Sequence, residues 1–230
     1  MSRFATITAA LDTVLDPELG QPVTSLGFVR SSTVADGTAT VRLRLPTYFC
    51  APNFAFLMVA DAYEAVRDVE GVHAVDVQLE DHFAADVINQ GVAARAGFVS
   101  TFDGEAVAEL DGLRATFLRK TVLAGTDRVC RAVLASGIDP GRLVDVTLGD
   151  VPASQDLERL RERRRELGLP HGDDTPLAID PETGAAVDAE AMRDYLARAR
   201  LTAVGQDANT GICVGMLRHR YPSSNLEEAS

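Results

Sequence analysis

The sequence predicts an α+β fold: a small two-layer α-β-β-α-β domain over residues 1–100, then a mainly helical extension over residues 101–230. Three observations carry that expectation. Short runs of alternating apolar and polar residues lie on either side of the dipeptide Asp36-Gly37. The apolar period changes from two to 3.6 after Pro52 and returns to two at Val75. Beyond Asp111 the apolar stripes are helical, separated by stretches rich in Gly, Pro and Asp.

Residues 4–15 read as a first helix, with Ile7, Leu11 and Val14 on one stripe. Asp16-Pro17 stops it, because a proline ring pushes the preceding residue out of the helical region. Leu26 to Val34 is expected to be extended. Asp36-Gly37 suits a two-residue hairpin turn, which needs positive φ. Ala39, Val41, Leu43 and Leu45 then alternate with Thr40, Arg42 and Arg44, the pattern of a half-buried strand. Pro46 closes that strand, and a short loop leads to Pro52, which fits a first helical turn where its missing N–H is no loss. Phe54, Leu57, Met58, Ala62, Ala65, Val66 and Val69 form the apolar face of this helix, and Gly71 ends it. Val75, Val77 and Leu79 make a third strand, with a further helix over residues 84–96.

In the extension, residues 111–124 and 127–135 read as two helices separated near Gly125-Thr126. Residues 155–167 form a charged helix, 168–188 a loop, 188–200 a final helix and 205–230 an irregular tail.

Twenty-two basic residues against thirty-four acidic ones give a net charge of −12. Such a chain is a poor nucleic-acid ligand, because affinity for phosphates comes from Lys and Arg displacing counterions. It is equally poorly suited to an anionic membrane surface. No run approaches the roughly 18 apolar residues that would span a bilayer. Met1 to Ala10 has one Arg and no continuous apolar core, so no signal peptide is expected there. Cys50, Cys130 and Cys213 are odd in number and widely spaced, which does not suit a disulfide framework. The expected location is the cytoplasm, with reduced thiols.

Cys50 lies just before a predicted helix start, where backbone N–H groups and the helix dipole favour a thiolate. A thiolate binds soft metals or attacks electrophiles, whereas a small buried apolar cysteine does neither; position alone leaves both readings open. Around it, three stretches carry a pattern: Asp16-Pro17-Glu18-Leu19-Gly20 with Val23 to Val29, Leu45-Pro46-Thr47 with Cys50 and Pro52, and Val69-Glu70-Gly71-Val72 before Val75. In order and spacing, residues 8–90 resemble the iron–sulfur (metal–sulfur) cluster assembly factor domain family. That family includes cytosolic iron–sulfur targeting factors and the protein D branch of phenylacetate degradation. Three features depart from the family pattern: Ala51 splits its Cys-Pro pair, Tyr48 and Phe49 replace small residues, and Glu80-Asp81-His82-Phe83 replaces its ending.

The resemblance implies a non-enzymatic metallocofactor assembly or maturation factor. It would load a transient iron or iron–sulfur cluster into a client metalloenzyme through Cys50, with no cofactor tightly bound. An oxygenase component is the client that the phenylacetate branch points to. Three cysteines cannot supply a four-thiolate cluster, so a homodimer, a non-cysteine ligand or the client would complete it.

Four further residues are candidates for support of the site. Asp16 could offer a hard oxygen ligand or simply terminate the helix, and Thr47 could bond the loop, cap the helix or position a ligand. His82, beside Asp81, fits either an exposed loop histidine or a support for a metal ligand. Cys213, in an apolar glycine-flanked stretch, could bring a second sulfur to Cys50. Cys130, on a helical stripe with Val129 and Val133, reads as a core thiol. Arg159, Arg161, Arg163, Arg164 and Arg165 alternate with glutamates, as on a solvated helix face. The alternatives are a metal-free, client-specific assembly chaperone and a cysteine enzyme, the latter needing a base such as His73 or His82.

Overall fold

The computed structural model describes residues 4–104, 106 and 108–222. Thr6 caps the first helix, α1 (Ile7–Leu11), by accepting the Ala9 N–H. α1 is shorter than expected. After Leu11 the chain turns through Thr13 and Val14, and Leu15 bridges to Pro22. The loop that follows is a packed part of the core: Leu19, Val23, Leu26 and Phe28 are buried.

β1 (Val29–Ala35) and β2 (Thr38–Arg44) pair antiparallel across Asp36-Gly37, whose φ angles are 51° and 75°. Both values are positive, as a tight two-residue turn matching the strand twist requires. The expected hairpin is therefore present. α2 (Pro52–Arg67) starts with its proline in the first turn and crosses to β3 (Ala74–Glu80), which lies parallel to β2. The sheet order is β1-β2-β3. Ala39, Val41, Leu43, Val77 and Leu79 are buried from the sheet, and Ala55, Val59, Ala62 and Val66 from α2, forming two layers over one core. α3 (Ala85–Ala93) and α4 (Phe98–Thr101) follow, and the Glu109 carboxylate accepts the first N–H groups of α4.

Beyond α4, α5 (Asp111–Ala135) runs unbroken through Gly125-Thr126, where a break was expected. A Cβ at Gly125 would meet Leu160 at 3.5 Å, ordinary van der Waals contact, so the glycine neither ends the helix nor is demanded by the packing. A 3₁₀ turn (Pro140–Asp145) precedes α6 (Gln155–Glu166), which Ser154 caps at the Leu157 N–H. The last helix, α7 (Met192–Arg220), takes in most of the tail that reads as irregular from sequence. Its pattern is masked because Leu201, Val204, Ile212 and Met216 are exposed, whereas Ala199, Ala203 and Gln206 are buried. No helix among the described residues is long and apolar enough to cross a membrane.

By packing, the chain forms two compact units, residues 1–112 with 209–230 and residues 113–208. The sequence reading divides it at residue 100 instead, with everything after in one extension. The difference lies in the last helix: Leu217 is a buried member of the first unit's core, and Cys213, Val214 and Tyr221 pack against it. In the second unit, Val122, Val129, Cys130, Val133, Leu148, Leu160 and Leu177 are buried together. Residues 168–188 have neither helix nor strand, as expected, yet Leu177 and Ile179 are fully buried. The arginine run is not a uniformly solvated face: Arg163 and Arg164 are buried, and Arg163 pairs with Glu166.

Candidate functional site

Cys50 sits in the loop from β2 to α2, half-buried against the first core. Leu45 and Pro46, both buried, fix where this loop leaves the sheet. The Cys50 Sγ lies 3.2 Å from Thr47 Oγ1, and the same hydroxyl oxygen accepts the Phe49 N–H at 3.2 Å. Thr47 therefore ties the loop to the thiol. It does not cap α2, whose N-cap is Ala51.

The exit from β3 closes over this loop. Asp81 adopts φ 52°, a reversal that an aspartate tolerates better than most residues. The reversal turns His82 inward, leaving it 5% exposed, so the exposed-loop reading of His82 is overturned. Its Nε2 lies 2.7 Å from the Cys50 carbonyl, and its Nδ1 lies 3.2 Å from the Ala84 N. Burial lowers its pKa, helped by the Arg220 charge and opposed by the bond to Cys50, so the ring is neutral at pH 7. The Asp81 carboxylate does not orient the imidazole; it accepts the Tyr221 hydroxyl at 3.0 Å. Arg220 donates to the Leu45 carbonyl at 3.1 Å and to the Asp81 carbonyl at 2.5 Å. Sequence reasoning missed Arg220 and Tyr221. They lie well over a hundred residues from their partners, in a stretch without readable periodicity, and carried no local signal.

Asp16 is 8% exposed, and its Oδ1 accepts the Leu19 N–H at 2.8 Å. Burial pushes its pKa up to about 6 against the opposing pull of the bonds from Leu19 and Glu18. On α7, Asn209 donates to Glu18 and Thr210 accepts from Gln21, which seats this part of the helix on the Asp16–Gln21 loop. Cys213, one turn further on, is half-buried on the same core, in a helix and not the irregular tail expected. Burial pushes its thiol up to about 11, and interaction with Asp16, Cys50 and Glu18 adds to that rise. Cys213 thus shares the electrostatic surroundings of Cys50 and Asp16.

Tyr48, Phe49 and Phe83 are exposed beside the loop, with ring centroids 5.0 to 6.4 Å apart. Cys130 belongs to the second unit's core at 2% exposure, and burial raises its pKa to about 12. That is the core thiol expected. Among the described residues, no group of three or more His, Cys, Asp or Glu side chains is arranged to hold a metal ion.

The family model for iron–sulfur cluster assembly proteins matches residues 5–78. An uncharacterized protein of Methanocaldococcus jannaschii is 35% identical over 82 residues, a stretch that covers 35% of this chain and 84% of that protein. No solved structure matches the chain.

Proposed function

The chain belongs, through residues 5–78, to the iron–sulfur cluster assembly protein family, and from that premise we propose that it acts through Cys50. Membership supports a general role in iron–sulfur assembly. The finer reading is a maturation factor that holds an iron or iron–sulfur cargo briefly and passes it to a client enzyme.

One observation carries this reading. Within the matched segment, the Cys50 thiol is partly accessible and is held by a hydroxyl at the mouth of a helix. Iron takes the thiolate form of cysteine, so capture releases the Cys50 proton to solvent, and the sulfur lone pair then binds iron. On transfer, a client thiolate replaces the Cys50 sulfur at the same iron, and Cys50 regains a proton. Cys213 is the second sulfur that could join, at the cost of removing a proton from a thiol raised to about 11. Two sulfurs leave iron positions open, which suits a carrier that must give its cargo away. The remaining ligands come from the client or from a second copy of the chain. Asp16 serves chiefly to close its own loop, since its Oδ1 already accepts the Leu19 N–H. The reading is non-enzymatic, with the reduced cytoplasm as the compartment that keeps both thiols free. An oxygenase component is the client proposed.

The exposed aromatic rings of Tyr48, Phe49 and Phe83 favour a second reading, a metal-free chaperone that grips an unassembled client. Anaerobic incubation with ferrous iron and sulfide separates the two. The chain should gain bound iron and sulfur-to-iron charge-transfer absorption and pass iron to an apo-ferredoxin. Cys50→Ser should lose most of both, because a serine hydroxyl stays protonated near neutral pH. Full iron loading and transfer by Cys50→Ser would overturn the thiolate reading and leave the chaperone.

A further inference from the structure

We infer that His82 is a positioning residue for the Cys50 thiol, acting through the Cys50 carbonyl; this rests on the reading that Cys50 is the working sulfur. The hydrogen-bond pattern determines the state of the ring. The Ala84 N–H can only donate, so Nδ1, at 3.2 Å from it, must be the bare nitrogen. The proton then sits on Nε2, which donates to the Cys50 carbonyl at 2.7 Å. Both ring nitrogens are committed, and the adjacent Phe83 ring, with its centroid 4.9 Å away, limits rotation of the imidazole.

The bond belongs to a short strap. The segment from Asp81 to Ala84 and the end of α7 hold the cysteine loop at three carbonyls. Arg220 donates to Leu45, the Phe83 N–H donates to Tyr48 at 3.1 Å, and His82 donates to Cys50. Only the third falls on the cysteine itself. Fixing the Cys50 carbonyl holds the peptide plane between Cys50 and Ala51, and with the loop also anchored at Leu45 and Tyr48 this restricts ψ of Cys50 and so the direction of its Cα–Cβ bond. The Thr47 hydroxyl then meets the sulfur at 3.2 Å. Without the His82 bond the plane can rotate, and the thiol spends less time in the orientation it presents here. A histidine that merely fills space would need neither nitrogen. Here, one nitrogen reads its own backbone turn and the other reads the cysteine.

Two substitutions divide these roles. His82→Gln keeps a donor near the Nε2 position, and His82→Asn keeps only an acceptor near Nδ1. In the full-length chain, the iodoacetamide alkylation rate of Cys50 is followed by peptide mass spectrometry, so that Cys130 and Cys213 are read separately. Loss of one hydrogen bond predicts a rate lower by about threefold or more in His82→Asn, with His82→Gln within about twofold of the unaltered chain. An unchanged or faster rate in His82→Asn overturns the proposal, as does an equal loss in both variants. The unaltered chain gives a test that needs no substitution. Imidazole ¹⁵N chemical shifts should show the Nε2–H tautomer, and the Nδ1–H tautomer would overturn the assignment. Alkylation involves no iron. A His82-dependent rate alongside full iron loading by Cys50→Ser therefore refutes the thiolate reading alone, whereas a rate that ignores His82 refutes only the positioning role.

Discussion

Cys50 and Cys130 mark opposite ways of housing a thiol. In the first unit, Cys50 lies in a loop whose carbonyls are gripped by His82, Arg220 and the Phe83 N–H, while its side chain remains partly open to solvent. In the second, Cys130 lies on α5 among Val129, Val133 and Leu160, closed to solvent, with its ionisation pushed up to about 12. The polar groups also serve different ends. Around Cys50 they hold backbone in place and leave the sulfur available. Near Cys130 the Arg164 guanidinium is fully buried, donating to the Pro176 carbonyl at 3.1 Å and the Leu177 carbonyl at 2.5 Å. Its charge sits in the core against these two backbone carbonyls, and burial lowers its pKa to about 10. One region uses polar contacts to hold the loop around a half-buried thiol; the other uses them to fasten an irregular segment over a core.

The largest effect should come from the second region. Arg164→Ala removes both donors to residues 176 and 177 and opens a cavity where the guanidinium was. Leaving buried carbonyls unbonded and a large side chain missing should destabilise the chain by about 3–5 kcal/mol. Urea unfolding checks this. A loss below about 1 kcal/mol would mean that the segment around Leu177 is held by apolar burial alone.

Exchanging the two thiols for serine tests the comparison directly. Cys130→Ser places a hydroxyl in an apolar core and should lower stability by about 1–3 kcal/mol, with iron loading kept in the folded fraction. Cys50→Ser should leave the thermal midpoint nearly unchanged and lose most of the iron loading. Thermal unfolding and bound iron, measured on the same preparations, should therefore move in opposite columns for the two variants. Coupled loss of both properties in either variant would break the contrast.

The same difference explains what could be read from sequence. Asp36-Gly37 announces its hairpin because a tight turn needs positive φ, and Pro52 announces α2 because a first turn tolerates its missing N–H. These are local constraints, and the sheet and the cysteine loop follow from them. His82 was open to an exposed reading because its burial depends on Asp81 reversing the chain, an aspartate where glycine would have been a signal. Arg220 and Tyr221 act on Leu45 and Asp81 from the far end of the chain, so no window of sequence contains both partners. Alternating Arg and Glu on α6 look solvated, yet Arg163 and Arg164 are buried: Arg163 pairs with Glu166 on its own helix, whereas the carbonyls that satisfy Arg164 come from residues 176 and 177, outside any local window. α7 hides for a related reason: it buries Ala199, Ala203 and Gln206 and exposes Leu201 and Ile212.

The smallest expected effect belongs to Asp16, in the first region. Its folded pKa, about 6, stands above the ordinary 3.8, so the folded chain binds this proton more tightly than the unfolded chain. By linkage, the stabilisation from protonation is complete below about pH 4 and is lost as pH rises through about 6. At pH 7 the buried carboxylate is therefore a liability, partly offset by the Leu19 N–H that it accepts. Asp16→Asn keeps an oxygen for that N–H and removes the charge. It should stabilise the chain by about 1–2 kcal/mol at pH 7.5 and by almost nothing at pH 4, a gap that opens across the interval between the two pKa values. Urea midpoints of the two chains at pH 4, 6 and 7.5 give the profile. A constant difference at all three values would show that the Asp16 charge is solvated in the folded chain. A loss of stability at pH 7.5 would show that the carboxylate has a charged partner worth more than its burial.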